Sequence, residues 1–471
     1  MDSISVSANT QPRDHHVVLF PFMSKGHIIP ILHLARLLLH RHLSVTIFTT
    51  PANRPFIVQY LNDTTASILD LPFSHNVADI PTGMESTDKL PSMSLFYSFA
   101  KATKVMQPDF ENALLTLPPV SFIVSDGFLW WTLESASKFN IPRFVFNGMS
   151  YYSMSMLNTV ATNRLFFGLE SDDELITVTQ FPWIKVTRND FEPVFTEPEP
   201  KGLKFEVINE IVIATANSYG IVFNSFYELE SMFVEYWNRE CPPKAWSLGP
   251  LCLVEQPKIR TEPNNKPIWV QWLDKKLDKG SPVLYIAFGT QAEISPAQLK
   301  EIAIGLEESK VNFLWMIRKS ASEISDGFEE RVKDRGIVVR EWVDQREILM
   351  HESVKGFLSH CGWNSVLESI CAGVPILAWP MMAEQPLNAR MVVEEIKVGL
   401  RVETCDGSVR GFVKWEGLEK MVRELMEGEK GKEVRKKIME LAVMAKKAVE
   451  EGGSSKCTLD LLIDETCGKN V

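Results

Sequence analysis

Short apolar runs alternate along the chain with longer stretches in which apolar residues recur every three or four positions. His16-Val-Val-Leu-Phe-Pro-Phe22 is a run of strand formers that ends at Ser24-Lys-Gly26, and Ile28 to Leu39 then carries apolar residues at helical spacing. Leu43 to Thr49 reads as a second strand, with Ile68–Leu71, Phe122–Val124, Arg143–Phe146 and Ile221–Phe223 as further short ones. Residues 253–266 break the pattern: they are polar, rich in Pro and Asn, and read as a linker. The alternation then restarts. Strands are predicted at Val283–Phe288, Phe313–Ile317, Ile337–Val339, Lys355–Ser359, Pro375–Ala378 and Leu400–Val402, and helices at Pro296–Glu308, Trp363–Cys371 and Pro386–Ile396. Trp415 to Ile463 reads as mostly helical, broken at Gly452-Gly453. Such alternation builds parallel sheets covered by helices on both faces. The expected class is α/β with two successive doubly wound domains, 1–252 and 267–450, followed by a helical tail, 451–471, able to pack back on the first domain. Open sheets of this kind take ligands beyond the carboxyl ends of their strands.

Composition narrows the function classes. The 471 residues are 45% hydrophobic and 23% charged, enough apolar material for two full cores. A formal net charge of −11, without a basic block, argues against nucleic acid and anionic lipid as partners. The seven cysteines include no C-x-x-C pair, which argues against a zinc or redox motif and fits a reducing compartment. The first sixteen residues are polar, with no secretory apolar core, and no run approaches the ~20 apolar residues of a membrane span. A cytoplasmic monomer without membrane insertion is expected.

The densest chemistry lies between Trp342 and Gln385. There a predicted buried strand, Gly356 to Ser359, runs into His360-Cys-Gly-Trp-Asn-Ser365, which opens a helix. Free backbone N–H groups and the helix dipole make such a strand-to-helix turn an anion site. His360, Asn364 and Ser365 add side-chain donors suited to a diphosphate. Glu368 follows Ser365 by three residues on the same helical face, where a carboxylate accepts from a ribose diol. A second phosphate contact is expected at Gly289-Thr290, the turn after Val283–Phe288. In the first domain, His27 sits just past the first strand and Asp126 just past Phe122–Val124, at one sheet edge. A His–Asp pair there makes a general base, the carboxylate holding the imidazole and stabilising its charged form.

The order Trp342-Val-Asp-Gln345, His360-Cys-Gly-Trp-Asn-Ser365, Leu367-Glu368, Gly373-Val-Pro375, Trp379-Pro380, Glu384-Gln385 closely resembles the 44-position C-terminal signature of plant secondary-product UDP-glycosyltransferases. The resemblance implies a GT-B type fold, two Rossmann-like domains facing across a cleft, with the acceptor on the first and the UDP-sugar on the second. It implies that Trp342 stacks on uracil with Gln345 beside the base. His360, Asn364 and Ser365 would hold the diphosphate, and Glu368 the ribose. Trp363, Glu384 and Gln385 would hold the sugar, with Val343 and Gly362 completing the set. The Gly26-His27 and Ser125-Asp126 positions match the family's catalytic pair. One departure is Asp344, where many relatives have Pro; it bears on the geometry of that loop.

These readings make an inverting, metal-independent transferase that moves a sugar, glucose by Gln385, onto a hydroxyl of a small phenolic, flavonoid or terpenoid. UDP-glucose would be a co-substrate, and no cofactor is expected. No Asp-x-Asp occurs in the sequence to clamp a diphosphate-bound metal. Lys89–Phe110, Trp130–Met156 and Phe181–Phe195 supply aromatics for an acceptor pocket, with Met23, Phe128, Asn147 and Met149 at its wall. A non-catalytic UDP-sugar-binding protein, or a nucleotide-sugar hydrolase or epimerase on the same fold, is the alternative; UDP release without an acceptor would favour hydrolysis.

Overall fold

A computed structural model describes residues 15–73, 80–255, 266–317, 324 and 327–468. Most of the predicted linker and the polar first residues lie outside the described residues.

The first sheet is built from β1 (His16–Phe20), β2 (Ser44–Thr49), β3 (Ser67–Asp70), β4 (Val120–Asp126) and β5 (Arg143–Asn147), while β6 (Ile176–Val178) and β7 (Phe181–Val186) form a separate antiparallel hairpin; β8 (Gly220–Phe223) and β9 (Ala245–Ser247) complete the sheet. The order β3-β2-β1-β4-β5-β8-β9 is parallel throughout. The second sheet runs through β10 (Val283–Ala287), β11 (Asn312–Met316), β12 (Gly336–Val339), β13 (Val354–Ser359), β14 (Ile376–Ala378) and β15 (Gly399–Arg401). Its order is β12-β11-β10-β13-β14-β15, again all parallel. Strands β1 and β10 are buried at every position, which is why they read as unbroken apolar runs rather than alternating ones. In each sheet the chain reverses its winding beside that central strand, between β1 and β4 and between β10 and β13. At such a switch point neighbouring loops part to opposite faces and leave a crevice.

The two lobes are packed on each other. One continuous apolar cluster joins Tyr151, Phe223 and Trp237 of the first lobe to Trp363, Ile370 and Leu387 of the second. Polar bridges cross the same junction. Arg390 donates to the fully buried Asp190 at 2.7 Å, and Gln291 donates to Ser24 at 3.1 Å and Thr87 at 2.9 Å. The predicted helical tail forms Trp415–Glu427, Glu429–Val449 and Ser454–Cys467. The last of these returns to the first lobe, where Leu459 and Leu462 join Val17, Leu19 and Val124 in one core. The helix expected at Pro386–Ile396 starts one residue earlier, at Gln385, and ends in a wider π-helical turn over Met391–Glu395. No helix among the described residues is long and apolar enough to cross a membrane.

Candidate active site between the lobes

Strand β1 ends at Phe20, and helix α1 (Lys25–Leu39) starts four residues beyond Pro21 with extended Ser24 as its N-cap. Phe20 pairs with Ser125, so the loop after β1 and the last residue of β4, Asp126, emerge side by side. His27, on the first turn of α1, donates from Nδ1 to Asp126 Oδ2 at 2.7 Å. The other oxygen of Asp126 accepts from the Phe128 backbone N–H at 2.9 Å, and the residue is 1% exposed. A carboxylate fixed at both oxygens fixes the ring, and with Nδ1 carrying the proton Nε2 keeps its lone pair. Burial pushes the His27 imidazole down, but the charges of Asp126 and Glu384 and the Asp126 hydrogen bond outweigh it, and the net shift is upward from 6.5. Phe22 and Phe128 meet the ring edge-on, each at 5.6 Å between centroids, and Phe96 packs on both.

Across the cleft, β10 leads into Gly289-Thr290 and β13 into His360. Gly289 has φ +74°, and a Cβ there would stand 2.7 Å from His360 Nε2; one on Gly362 would stand at 2.6 Å. Glycine is needed at both turns because the imidazole lies against them. Burial pushes His360 down to about 4, so it offers a hydrogen bond and no charge at neutral pH. Helix Trp363–Ala372 begins here with Gly362 as N-cap, after Cys361 in the left-handed region at φ +62°. Ser365 and Glu368 lie one turn apart on it, and burial pushes the Glu368 carboxyl up to about 7. Trp342 is 45% exposed, with Phe56 of helix α2 (Arg54–Leu61) edge-on at 5.6 Å. Glu384 caps the helix Gln385–Arg390, its carboxyl raised by burial, and its charge reaches His27.

Several of the expected residues also make contacts with the protein that the sequence did not show. Trp363, expected on the sugar, is 2% exposed, and its indole donates to the Asn224 carbonyl at 2.8 Å; it anchors the lobes, and only its backbone opens the helix. Asn364, expected on the diphosphate, donates across the cleft to the Gly26 carbonyl at 2.6 Å. Gln345, expected beside the base, donates to Ser365 at 2.9 Å and to Glu368 at 2.7 Å, because a buried carboxylate attracts the nearest amide. Val343 packs into the second lobe's core. Gln385 has its oxygen filled by the Met381 and Met382 N–H groups, each at 3.0 Å, which leaves only its NH2 for a ligand. Met23 is 1% exposed in the core, and its carbonyl accepts from Thr87. Within Trp130–Met156, the side chains of Trp130, Trp131, Tyr151, Tyr152 and Met156 are core. Asn147 accepts from the Met149 N–H at 2.9 Å in a half-buried turn after β5. Phe128, the last of the four expected wall residues, meets the His27 ring edge-on.

The sequence profile described as UDP-glucoronosyl and UDP-glucosyl transferase matches residues 271–448. UDP-glycosyltransferase 90A1 of Arabidopsis thaliana is 59% identical over 464 residues, covering 96% of each chain. The chain belongs to the plant UDP-glycosyltransferases. Solved structures agree. That of UGT73P12 from Glycyrrhiza uralensis, complexed with glycyrrhetinic acid 3-O-monoglucuronide, superposes with a TM-score of 0.84 at 30% identity, covering 96% of each chain. UGT2 of Phytolacca americana, complexed with UDP-2-fluoro-glucose and pterostilbene, gives 0.79 at 28% identity, covering 96% of this chain and all of that one. The two facing parallel sheets of this glycosyltransferase are thus the GT-B arrangement.

Some residues at the glycosyltransferase's cleft carried no mark in the sequence. Asn388 is fully buried, accepts from Ser150 at 3.1 Å and Ser153 at 2.8 Å in the opposite lobe, and donates to the Cys361 carbonyl at 3.0 Å. It stands four residues after Glu384, on the same helical face, and that spacing was its only trace. Asp344 caps the helix Gln345–Leu349 and pairs with Arg346 at 2.9 Å, while Arg346 also donates to the Cys252 carbonyl and to Tyr60. A polar pair thus sets the geometry of this loop.

Proposed function

We propose that this glycosyltransferase moves glucose from UDP-glucose to a hydroxyl of a small phenolic or terpenoid, with inversion at the anomeric carbon. The observation that carries the reading is the 2.7 Å His27–Asp126 bond at the cleft edge, with Nε2 left to take a proton. An acceptor hydroxyl held against Phe96 and Phe128 loses its proton to His27. Its oxygen attacks the anomeric carbon from the face opposite the diphosphate. Asp126 stabilises the imidazolium that forms. Charge growing on the departing diphosphate falls at the N-terminus of the helix Trp363–Ala372 and beside His360. Trp342, exposed and flat, suits uracil, and Glu368 suits the ribose hydroxyls. The aromatic wall, and a relative seen with a stilbene-type acceptor, support an aromatic aglycone.

Glucose is favoured by Glu384 and Gln385 together, and by a relative that holds a fluorinated UDP-glucose. With its oxygen filled, Gln385 can only donate, so it selects a hydroxyl by where that hydroxyl's lone pairs point. In donor competition the enzyme prefers UDP-glucose over UDP-galactose by at least ~10-fold in kcat/KM. Gln385→Glu keeps an oxygen for the loop and removes the NH2, and it lowers that ratio. An unchanged ratio moves sugar selection to another residue. A wild type that prefers UDP-galactose or UDP-glucuronate, or that releases UDP without an acceptor, overturns the assignment.

The reading is also metal-free. The chain has no Asp-x-Asp, and among the described residues no three His, Cys, Asp or Glu side chains gather as a metal site. Turnover is therefore unchanged in excess EDTA. Loss of activity to the chelator, restored by Mg²⁺ or Mn²⁺, would contradict this.

A further inference from the structure

The first residues of α1 run alongside the groups of the second lobe that the proposed function gives to the sugar nucleotide. Gly26 receives the Asn364 amide, one residue from Ser365, and His27 lies within the field of Glu384 at the sugar end. Lys25 reaches the base end. Its ammonium stands 5.4 Å from the Trp342 ring centroid and 5.6 Å from that of Phe56. Two ring faces attract a cation, but they do not neutralise it.

A diphosphate needs positive charge, and the second lobe offers little of it. His360 is held neutral, and Glu368, Glu384 and Asp344 carry carboxyl groups along the same strip. Arg346 is committed to Asp344 at 2.9 Å. Lys25 is held by no carboxylate among the described residues and sits half-buried at the mouth of the strip. A uracil stacking on Trp342 competes with the ammonium for the ring. The ammonium, on a flexible four-carbon stem, then turns to the nearest anion, which is the nucleotide's own phosphate.

We infer that Lys25, on the acceptor lobe, is the counter-cation of the nucleotide's phosphates and that the sugar nucleotide is bound by both lobes. The inference rests on the assignment of Trp342 to the base. The test is titration of UDP and of uridine into the wild type, Lys25→Met, Lys25→Arg and Trp342→Ala, followed by calorimetry. Lys25→Met weakens UDP by about tenfold and leaves uridine within about twofold, since only UDP carries phosphate. Lys25→Arg restores most of the loss, and raised salt weakens UDP more steeply in the wild type than in Lys25→Met. In turnover, KM for UDP-glucose rises in Lys25→Met, while KM for the acceptor and the acidic limb of the pH profile stay in place. Wild-type UDP affinity in Lys25→Met, or equal losses for UDP and uridine, overturns the Lys25 role. If Trp342→Ala also binds UDP normally, the placement of the base falls with it.

Discussion

Replacing His27 with alanine lowers transfer by about 10²–10⁴-fold while UDP binding stays at the wild-type level. The imidazole touches no group of the proposed uracil, ribose or phosphate strip. Its partners are Asp126 at 2.7 Å and the aromatic rings of its own lobe, so its removal acts on the acceptor's proton alone. The pH profile tests the same point in the intact enzyme. The base works when neutral, and Asp126 and Glu384 raise its pKa above 6.5 against the effect of burial. The acidic limb of kcat/KM therefore has its midpoint above 6.5, with activity falling as pH drops through it. Asp126→Asn removes the larger of the two raising charges, so the limb moves to lower pH while the maximal rate falls. Near-normal turnover of His27→Ala with an unactivated alcohol acceptor refutes the role, as does a limb that Asp126→Asn leaves in place.

Arg390→Met costs the fold about 3–5 kcal/mol. The guanidinium is the charge partner of Asp190, which is 0% exposed and accepts at one oxygen from the Thr187 N–H at 2.7 Å, the Thr187 hydroxyl at 3.1 Å and Arg390 at 2.7 Å. Methionine fills most of the volume but leaves a buried carboxylate whose remaining hydrogen bonds come from the neutral Thr187, with the Arg401 charge as its one nearby compensation among the described residues. The pair joins the first lobe, just after β7, to the helix Gln385–Arg390, whose start holds the acid and amide proposed for the sugar, Glu384 and Gln385. Urea unfolding measures the loss. Adding Asp190→Asn to Arg390→Met removes the stranded charge and recovers most of the stability. A single variant that loses under about 1 kcal/mol would mean that water reaches Asp190.

The sequence carried both sheets, short edge strands included, except at Ala245–Ser247. Val283–Phe288 could be read because a strand buried on both faces needs an unbroken apolar run. Ala245–Ser247 and the hairpin Ile176–Val178 with Phe181–Val186 went unread: Ala-Trp-Ser holds no aliphatic run, and in the hairpin the exposed Pro182 and Trp183 interrupt the buried positions. His27 and Asp126 were legible as a pair because strand ends that neighbour each other bring their following residues together. The amides were not. Gln345, Asn364 and Asn388 each reach partners in another element, and Asn364 and Asn388 reach the opposite lobe. No local spacing encodes such a choice, because an amide takes whichever acceptor the packing presents. The burial of the Trp363 indole was not legible for a related reason: a motif fixes a residue's position in the chain, while burial depends on what the other lobe lays over it.

The return of helix Ser454–Cys467 to the first lobe has a consequence for how the chain is made. Leu459 and Leu462 complete the same core as Val17, Leu19 and Val124, strands the ribosome delivers at the outset. That core lacks the side chains of Leu459 and Leu462 until the last helix has been made. Early protection of β1 and β4 in a nascent chain is therefore expected to be incomplete until the last helix docks.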